Sequence, residues 1–222
     1  MTDVHCHFRR GESRHFLCEP FDGEPGEGDE VFYGTHPWNF ESFDADRLRR
    51  RLQASPRSGV GEIGLDRLRQ REIPTGMREV FAAQLAIAGE LGRPVVLHGA
   101  KCWGEVVKTI IANAAAGGIP SFLFHGFSRA DGLLEDIIAL NGFISLGPAL
   151  CNDHAHNYHE LARRIPLERI VLESDATAHS AGTAPSIEQL AIRLAELRGL
   201  SLSLTASAVE RNCERFLSGE QP

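Results

Sequence analysis

Val60-Gly61-Glu62-Ile63-Gly64-Leu65-Asp66 sets a carboxylate at the end of a short apolar run, and the chain repeats that arrangement along its length. Val95-Val96-Leu97 runs into His98, Phe122-Leu123-Phe124 into His125, and Ile170-Val171-Leu172-Glu173-Ser174 into Asp175. The N-terminal Asp3-Val4-His5-Cys6-His7 carries two imidazoles two residues apart, which on a strand point the same way. Between these runs lie longer segments of helical period, so strands alternate with helices and the chain reads as α/β. In a (β/α) barrel all strand C-terminal ends meet at one face, where the active site lies. Six ligand-type side chains (His5, His7, Glu62, His98, His125 and Asp175) are therefore expected to converge. A single His-x-His or a lone strand-end histidine is more often structural; the joint pattern over five strand ends points to metal.

The expected strands are 2–5, 14–19, 30–34, 58–62, 94–98, 121–125, 142–146 and 169–173. The expected helices are 44–54, 76–91, 104–116, 130–140, 158–164, 186–198 and 203–217. Pro94 and Pro120 sit at or just before strand starts, where a missing N–H is tolerated. Asn141-Gly142 suits a helix end turning into a strand, and Ser186 with Gln189 matches a capping box. Phe8–Asp29 is rich in Gly, Pro and acids and has no helical period. A parallel crossover normally needs a dozen or more residues. The barrel is thus expected to be TIM-like but trimmed in its N-terminal βα units, with a second strand that is antiparallel or distorted. Residues 1–222 read as a single hydrolase barrel domain.

The composition narrows the function. Net charge is −7 with histidine neutral, unlike proteins that grip duplex nucleic acid through many phosphates. Bound cations would have to supply much of the positive charge at a nucleic-acid site. Five scattered cysteines with no Cys-x-x-Cys pair argue against a disulfide framework and a thiolate zinc site. No apolar run is long enough to span a membrane, and the N-terminus shows no secretory pattern, so the expected location is cytoplasmic. A monomer is expected.

Imidazole with carboxylate suits Zn²⁺ or Mn²⁺, and carboxylate with water suits Mg²⁺. Two divalent ions bridged by Glu62 would activate a shared water. Trp38 and Phe127 are candidate platforms for a base or other flat group, and Trp103 a weaker one. His154, His156 and His159 form a local cluster expected at the active-site rim or in solvent rather than at a third metal. Arg47 to Arg51 reads as a solvated basic surface.

Taken in order, Asp3-Val4-His5-Cys6-His7, Gly34-Thr35-His36-Pro37, Gly61-Glu62-Ile63-Gly64-Leu65-Asp66, Leu97-His98, His125-Gly126-Phe127-Ser128 and Glu173-Ser174-Asp175 resemble the motif series of the TatD-type metal-dependent hydrolases. Asn212-Cys213-Glu214-Arg215-Phe216 is similar to their C-terminal helix motif. The resemblance implies a TIM-like barrel, two divalent metals, and deoxyribonuclease or 3′–5′ exonuclease action. It implies that His5, His7 and Asp175 hold one metal and His98 and His125 the second, with Glu62 bridging. Asp175 would take a proton from the attacking water, and His36 would contact substrate or a leaving group. The chain departs from the family in several places. The stretch between His-x-His and His36 is short, Trp38 follows His36-Pro37 where many members have histidine, and Ala176 follows Asp175 in place of proline. Lys101 stands where arginine is usual, able to meet a phosphate as a point charge only. The leading expectation is phosphodiester cleavage of DNA or RNA. The alternative is amidohydrolase-type hydrolysis of a small-molecule amide, ester or lactone.

Overall fold

The apolar runs form eight strands in a computed structural model that describes residues 1–11, 13–22, 24–128 and 132–222, excepting the side chains of 114 and 115. The strands are β1 (Thr2–Phe8), β2 (Arg14–Asp22), β3 (Glu30–Tyr33), β4 (Gly59–Asp66), β5 (Val95–Ala100), β6 (Phe122–Phe124), β7 (Gly142–Leu146) and β8 (Ile170–Leu172). They pair in sequence order, every pair parallel. Beyond β8 the chain returns to β1: the Asp175 N–H donates to the His5 carbonyl (3.1 Å) and the His7 N–H to the Ala176 carbonyl (2.8 Å). These two bonds close the ring into a TIM-like barrel.

Helices α1 (Ala45–Ala54), α2 (Thr75–Glu90), α3 (Trp103–Ala112), α4 (Leu134–Ala139), α5 (His156–Arg164), α6 (Ile187–Arg198) and α7 (Leu202–Ser218) connect or follow the later strands. The expected helix over 130–140 begins on residues outside those described. Ser186 and Gln189 form the expected capping box on α6, and Asn141, at φ 54°, turns the chain from α4 into β7. Fully buried apolar side chains such as Phe81 and Leu85 of α2 and Val106 of α3 join those of the strands in one core. Burying an aliphatic or aromatic side chain of this size stabilises by roughly 1.5–3 kcal/mol.

Of the two alternatives for β2, the distorted strand is the one found. It is parallel to both neighbours, not antiparallel, with register shifts against β1 between Asp3 and Phe8. Among the described residues neither β1–β2 nor β2–β3 is joined through a helix. Residues 9–13 must span from Phe8 back to Arg14, which pairs with Thr2. That is roughly 20 Å at the rise of a strand. The return is tied down by polar groups. The buried Asp29 carboxylate accepts from the His15 N–H (2.8 Å), the Gly26 N–H (2.8 Å) and Arg9 Nε (3.1 Å). Arg10 donates to the Ala184 carbonyl at 2.9 Å.

β4 runs past Glu62 to Asp66 because Ile63–Asp66 pair with Leu97–Ala100 beyond a register shift. Gly64 makes this possible. At φ 150° a Cβ there would lie 2.0 Å from the His98 carbonyl oxygen, so a side chain would push β4 off β5.

Candidate metal centre and its mouth

His5, midway along β1, is fully buried. Its Nδ1 lies 3.2 Å from Cys18 Sγ, and its Nε2 has no hydrogen-bond partner. That nitrogen faces Asp175 Oδ1 at 3.6 Å and Glu62 Oε2 at 3.7 Å, gaps too long for hydrogen bonds. A buried polar atom left unmatched is costly, and a cation between these three groups would satisfy all of them. His7 donates from Nδ1 to the Cys18 and Pro20 carbonyls, both at 2.9 Å, and turns Nε2 toward Glu62 Oε2 at 3.6 Å.

Glu62 divides its two oxygens. Oε2 faces His5 and His7, while Oε1 faces His98 Nδ1 (2.6 Å) and His125 Nε2 (3.4 Å). The carboxylate therefore stands between two pairs of imidazoles. Of four donor groups among the described residues, three overlap at the mouth: His5, His7 and Glu62; His5, His125 and Asp175; and His36, Glu62 and His98; the fourth, Asp3, Cys6 and His15, shares no residue with them. By distance His125 thus joins His5 and Asp175, with the His5 and His125 rings stacked at 3.6 Å. The donor set of imidazoles and carboxylates fits a borderline divalent cation such as Zn²⁺ or Mn²⁺.

Two carboxylates that drew no role from the sequence orient these rings. Glu173 accepts from His125 Nδ1 at 2.8 Å and from the Gly126 N–H at 3.0 Å. Asp66 accepts from His98 Nε2 at 2.7 Å. Carboxylates that hold the far nitrogen of a ligating histidine fix its tautomer and orientation. The signal was available: Glu173 lies two residues before Asp175, and both carboxylates sit inside the motifs that supply ligands. Asp3 acts one step further out, holding the Ser174 N–H (2.9 Å) and hydroxyl (2.5 Å) just before Asp175.

The charges follow from these contacts. Burial, opposed by the histidines around it, leaves Glu62 held well below the usual carboxylate range. Burial also favours the neutral carboxyl of Asp175, but His5 and His125 outweigh it and keep that pKa low. His5 is pushed down by burial and by His125. His125 is opposed by burial but lifted by Glu173 and Glu62 to about 10. His36 falls to about 4, chiefly through burial. Its Nδ1 accepts the Trp38 N–H at 3.1 Å, so the neutral ring carries its proton on Nε2.

His7, His36, Trp38, Glu62, His98, His125 and Asp175 line one cavity of about 380 Å³. Lys101, at φ 56°, lines an adjoining hollow with His98, His125 and Ser128. Asp175 is also in the left-handed region, at φ 49°, which among non-glycine residues Asp tolerates best with Asn. Phe127 corrects the sequence reading. It has no exposed surface and packs its ring 5.5 Å from Trp103 and 6.5 Å from Phe124, so it is a core residue and not a substrate platform. Trp103 is buried as well. His154 and His156 are exposed, and His159 is buried against the Leu150 carbonyl at 3.0 Å. Among the described residues none of the three joins a group with ligand geometry. Among the same residues no helix is long and apolar enough to cross a membrane.

A parallel TIM-like barrel that gathers histidines and carboxylates at its mouth has the architecture of a metal-dependent barrel hydrolase. Within that class the chain belongs to the TatD family of hydrolases: the family model described as TatD related DNase matches residues 28–218. The chain is 30% identical over 145 residues to the 3'-5' ssDNA/RNA exonuclease TatD of Edwardsiella piscicida, an alignment spanning 65% of this chain and 54% of that protein. It is 26% identical over 164 residues to the uncharacterized metal-dependent hydrolase YabD of Bacillus subtilis, spanning 71% of this chain and 64% of the relative. The chain thus matches little more than half the length of these curated relatives. In fold it is similar to the TatD homolog YJJV of Escherichia coli K12, with TM-score 0.78, 19% identity, and coverage of 97% of this chain and 96% of that one.

Proposed function

We propose that the protein is a metal-dependent phosphodiesterase acting on single-stranded or terminal nucleic acid. The observation that carries the metal reading is the division of Glu62, one oxygen toward His5 and His7 and the other toward His98 and His125. His5, His7 and Asp175 would hold one divalent ion and His98 and His125 a second, with Glu62 shared. Such a pair supplies a nucleophilic water at neutral pH and neutralises charge on the phosphoryl oxygens. The exonuclease name of the Edwardsiella relative supports the phosphodiester class.

The chain's own residues provide the rest. Asp175, ionised and half exposed at the cavity, is placed to accept the proton of the attacking water. His36 offers a neutral Nε2–H at the same cavity, positioned to donate to a leaving-group oxygen. Lys101 sets a positive charge beside His98 and His125 where a phosphate would rest.

The test is hydrolysis of 3′-labelled single-stranded DNA, of duplex DNA, and of a panel of aryl esters, amides and lactones. Turnover of the single strand is expected with Mn²⁺ or Zn²⁺, abolished by EDTA and restored by adding metal. Turnover that persists in chelator would refute the metal requirement. Turnover of esters, amides or lactones with none of DNA would assign the site to small-molecule hydrolysis.

A further inference from the structure

Arg69 follows β4 on the rim of the barrel mouth. Its guanidinium carbon lies 3.6 Å from the centroid of the Trp38 ring. Nearby Arg67 and Arg78 both engage Glu105; among the described residues Arg69 has no carboxylate partner. Its charge is held over an aromatic face in place of an acid. The backbone at Trp38 is fixed: the side chain is 42% exposed, but the backbone N–H donates to His36 Nδ1 and the buried Pro37 precedes it. The contacts then run inward. The Trp38 ring is 4.8 Å from that of His36, and His36 is 4.6 Å from His98, which touches Glu62.

We propose that Arg69, stacked on Trp38, binds a substrate phosphate next to the scissile one, so that the mouth selects a strand over an isolated diester. A guanidinium laid on an indole gains from cation–π attraction while its N–H edge stays free. That edge is the planar fork that meets a phosphate bidentately, which Lys101 cannot do. Because the stack already holds the side chain, little rotamer freedom remains to be lost when the anion arrives. This inference rests on the phosphodiesterase reading of the metal centre.

Two measurements test it. The first compares a thymidine tetranucleotide with bis(4-nitrophenyl) phosphate, which has one phosphate and no neighbour. Arg69→Ala should lower kcat/KM on the tetranucleotide relative to the diester by about tenfold, chiefly through KM, and Arg69→Lys should recover part of the ratio. A Trp38→Leu change added to Arg69→Ala should cost little more in that ratio, because the two act as one unit. An unchanged ratio would overturn the clamp.

The second measurement does not depend on turnover. The chain has two tryptophans, and Trp103 is buried, so quenching on rapid mixing reports Trp38. The tetranucleotide should quench the wild type, and Arg69→Ala should weaken its binding about tenfold. An uncharged methylphosphonate tetranucleotide should bind the wild type no more tightly than the charged one binds the variant, and Arg69→Ala should leave its binding unchanged. If the wild type cleaves neither substrate with Mn²⁺, the phosphodiesterase reading fails. The quench then judges the clamp alone, and quenching that ignores the substrate's charge would refute it.

Discussion

The two sides of the barrel hold their histidines by different means. On the β1–β3 side, where among the described residues no helix joins the strands, His7 is oriented by the carbonyls of Cys18 and Pro20, and His5 by the Cys18 thiol. On the β4–β8 side, backed by α2 and α3, His98 and His125 are oriented by the buried carboxylates Asp66 and Glu173. A thin sheet wall offers chiefly its own backbone as a scaffold. The Asp3 and Asp29 carboxylates are buried on that side too, but they hold backbone N–H groups, Ser174 and Arg9, whereas Asp66 and Glu173 pair with the rings of His98 and His125. Glu62 touches both sets. Replacing it with Gln should therefore give the largest effect, a loss of turnover on the order of a thousandfold with far-UV circular dichroism unchanged. Elemental analysis should show reduced metal content. Wild-type rates would mean that the two sides do not share a metal bridge.

The difference in support also predicts a difference in stability. Phe81 of α2 is buried in the core, and Phe81→Ala should cost about 4 kcal/mol in urea unfolding, spread over the whole molecule. On the other side the corresponding anchor is polar. Asp29→Ala would leave the His15 and Gly26 N–H groups and Arg9 without their acceptor, at a cost of about 3 kcal/mol. Hydrogen exchange should rise mainly over residues 9–29, with β5 and β6 still protected. Uniform loss of protection in Asp29→Ala would show that the two sides unfold as one.

The same contrast decided what the sequence made legible. β4 to β8 and their helices follow apolar periods, and those periods are set by burial, so their order and parallel pairing could be read from residue type. The ligand-type residues at their ends were visible for the same reason. The irregularity of β2 was legible but its direction was not, because the direction depends on a return of only five residues and on ties through Arg9, Arg10 and Asp29 that have no local pattern. Phe127 was misread because its neighbours in the chain sit at the site, while its ring turns into the core toward Trp103 and Phe124. Asp66 and Glu173 sit inside the ligand-bearing motifs, but the rings they hold lie 32 and 48 residues away, so only the fold shows the pairing. Arg69 is silent in the sequence altogether: only the fold lays it on Trp38.

The orienting acids allow a finer break between the sides. Glu173→Gln keeps the shape and removes the charge that holds His125. Metal affinity should fall about ten- to a hundredfold. Cys18→Ser, which alters only the weaker contact on His5, should do less. Equal losses in competition with a chromophoric chelator would mean that carboxylate support gives no advantage over the sheet's own groups.

The smallest effect concerns protons, and it separates two rings that touch. His5 and His125 stack at 3.6 Å, yet His5 is pushed below its ordinary pKa and His125 is lifted to about 10. In metal-free protein the raised group contributes stability that is complete below the unfolded histidine value near 6.5 and is lost as pH rises through about 10. His7 and His98, both raised, act in the same direction. The urea midpoint of EDTA-treated protein should therefore fall across that window, by on the order of 1 kcal/mol per pH unit. A divalent ion reverses the sign, because it binds the deprotonated imidazole and competes with the proton on His125. The stabilisation produced by saturating Zn²⁺ or Mn²⁺ should grow from pH 6.5 to 9.5, and His125→Gln should flatten both curves more than His5→Gln does. If the two substitutions flatten them equally, Glu173 does not set the difference between the stacked rings.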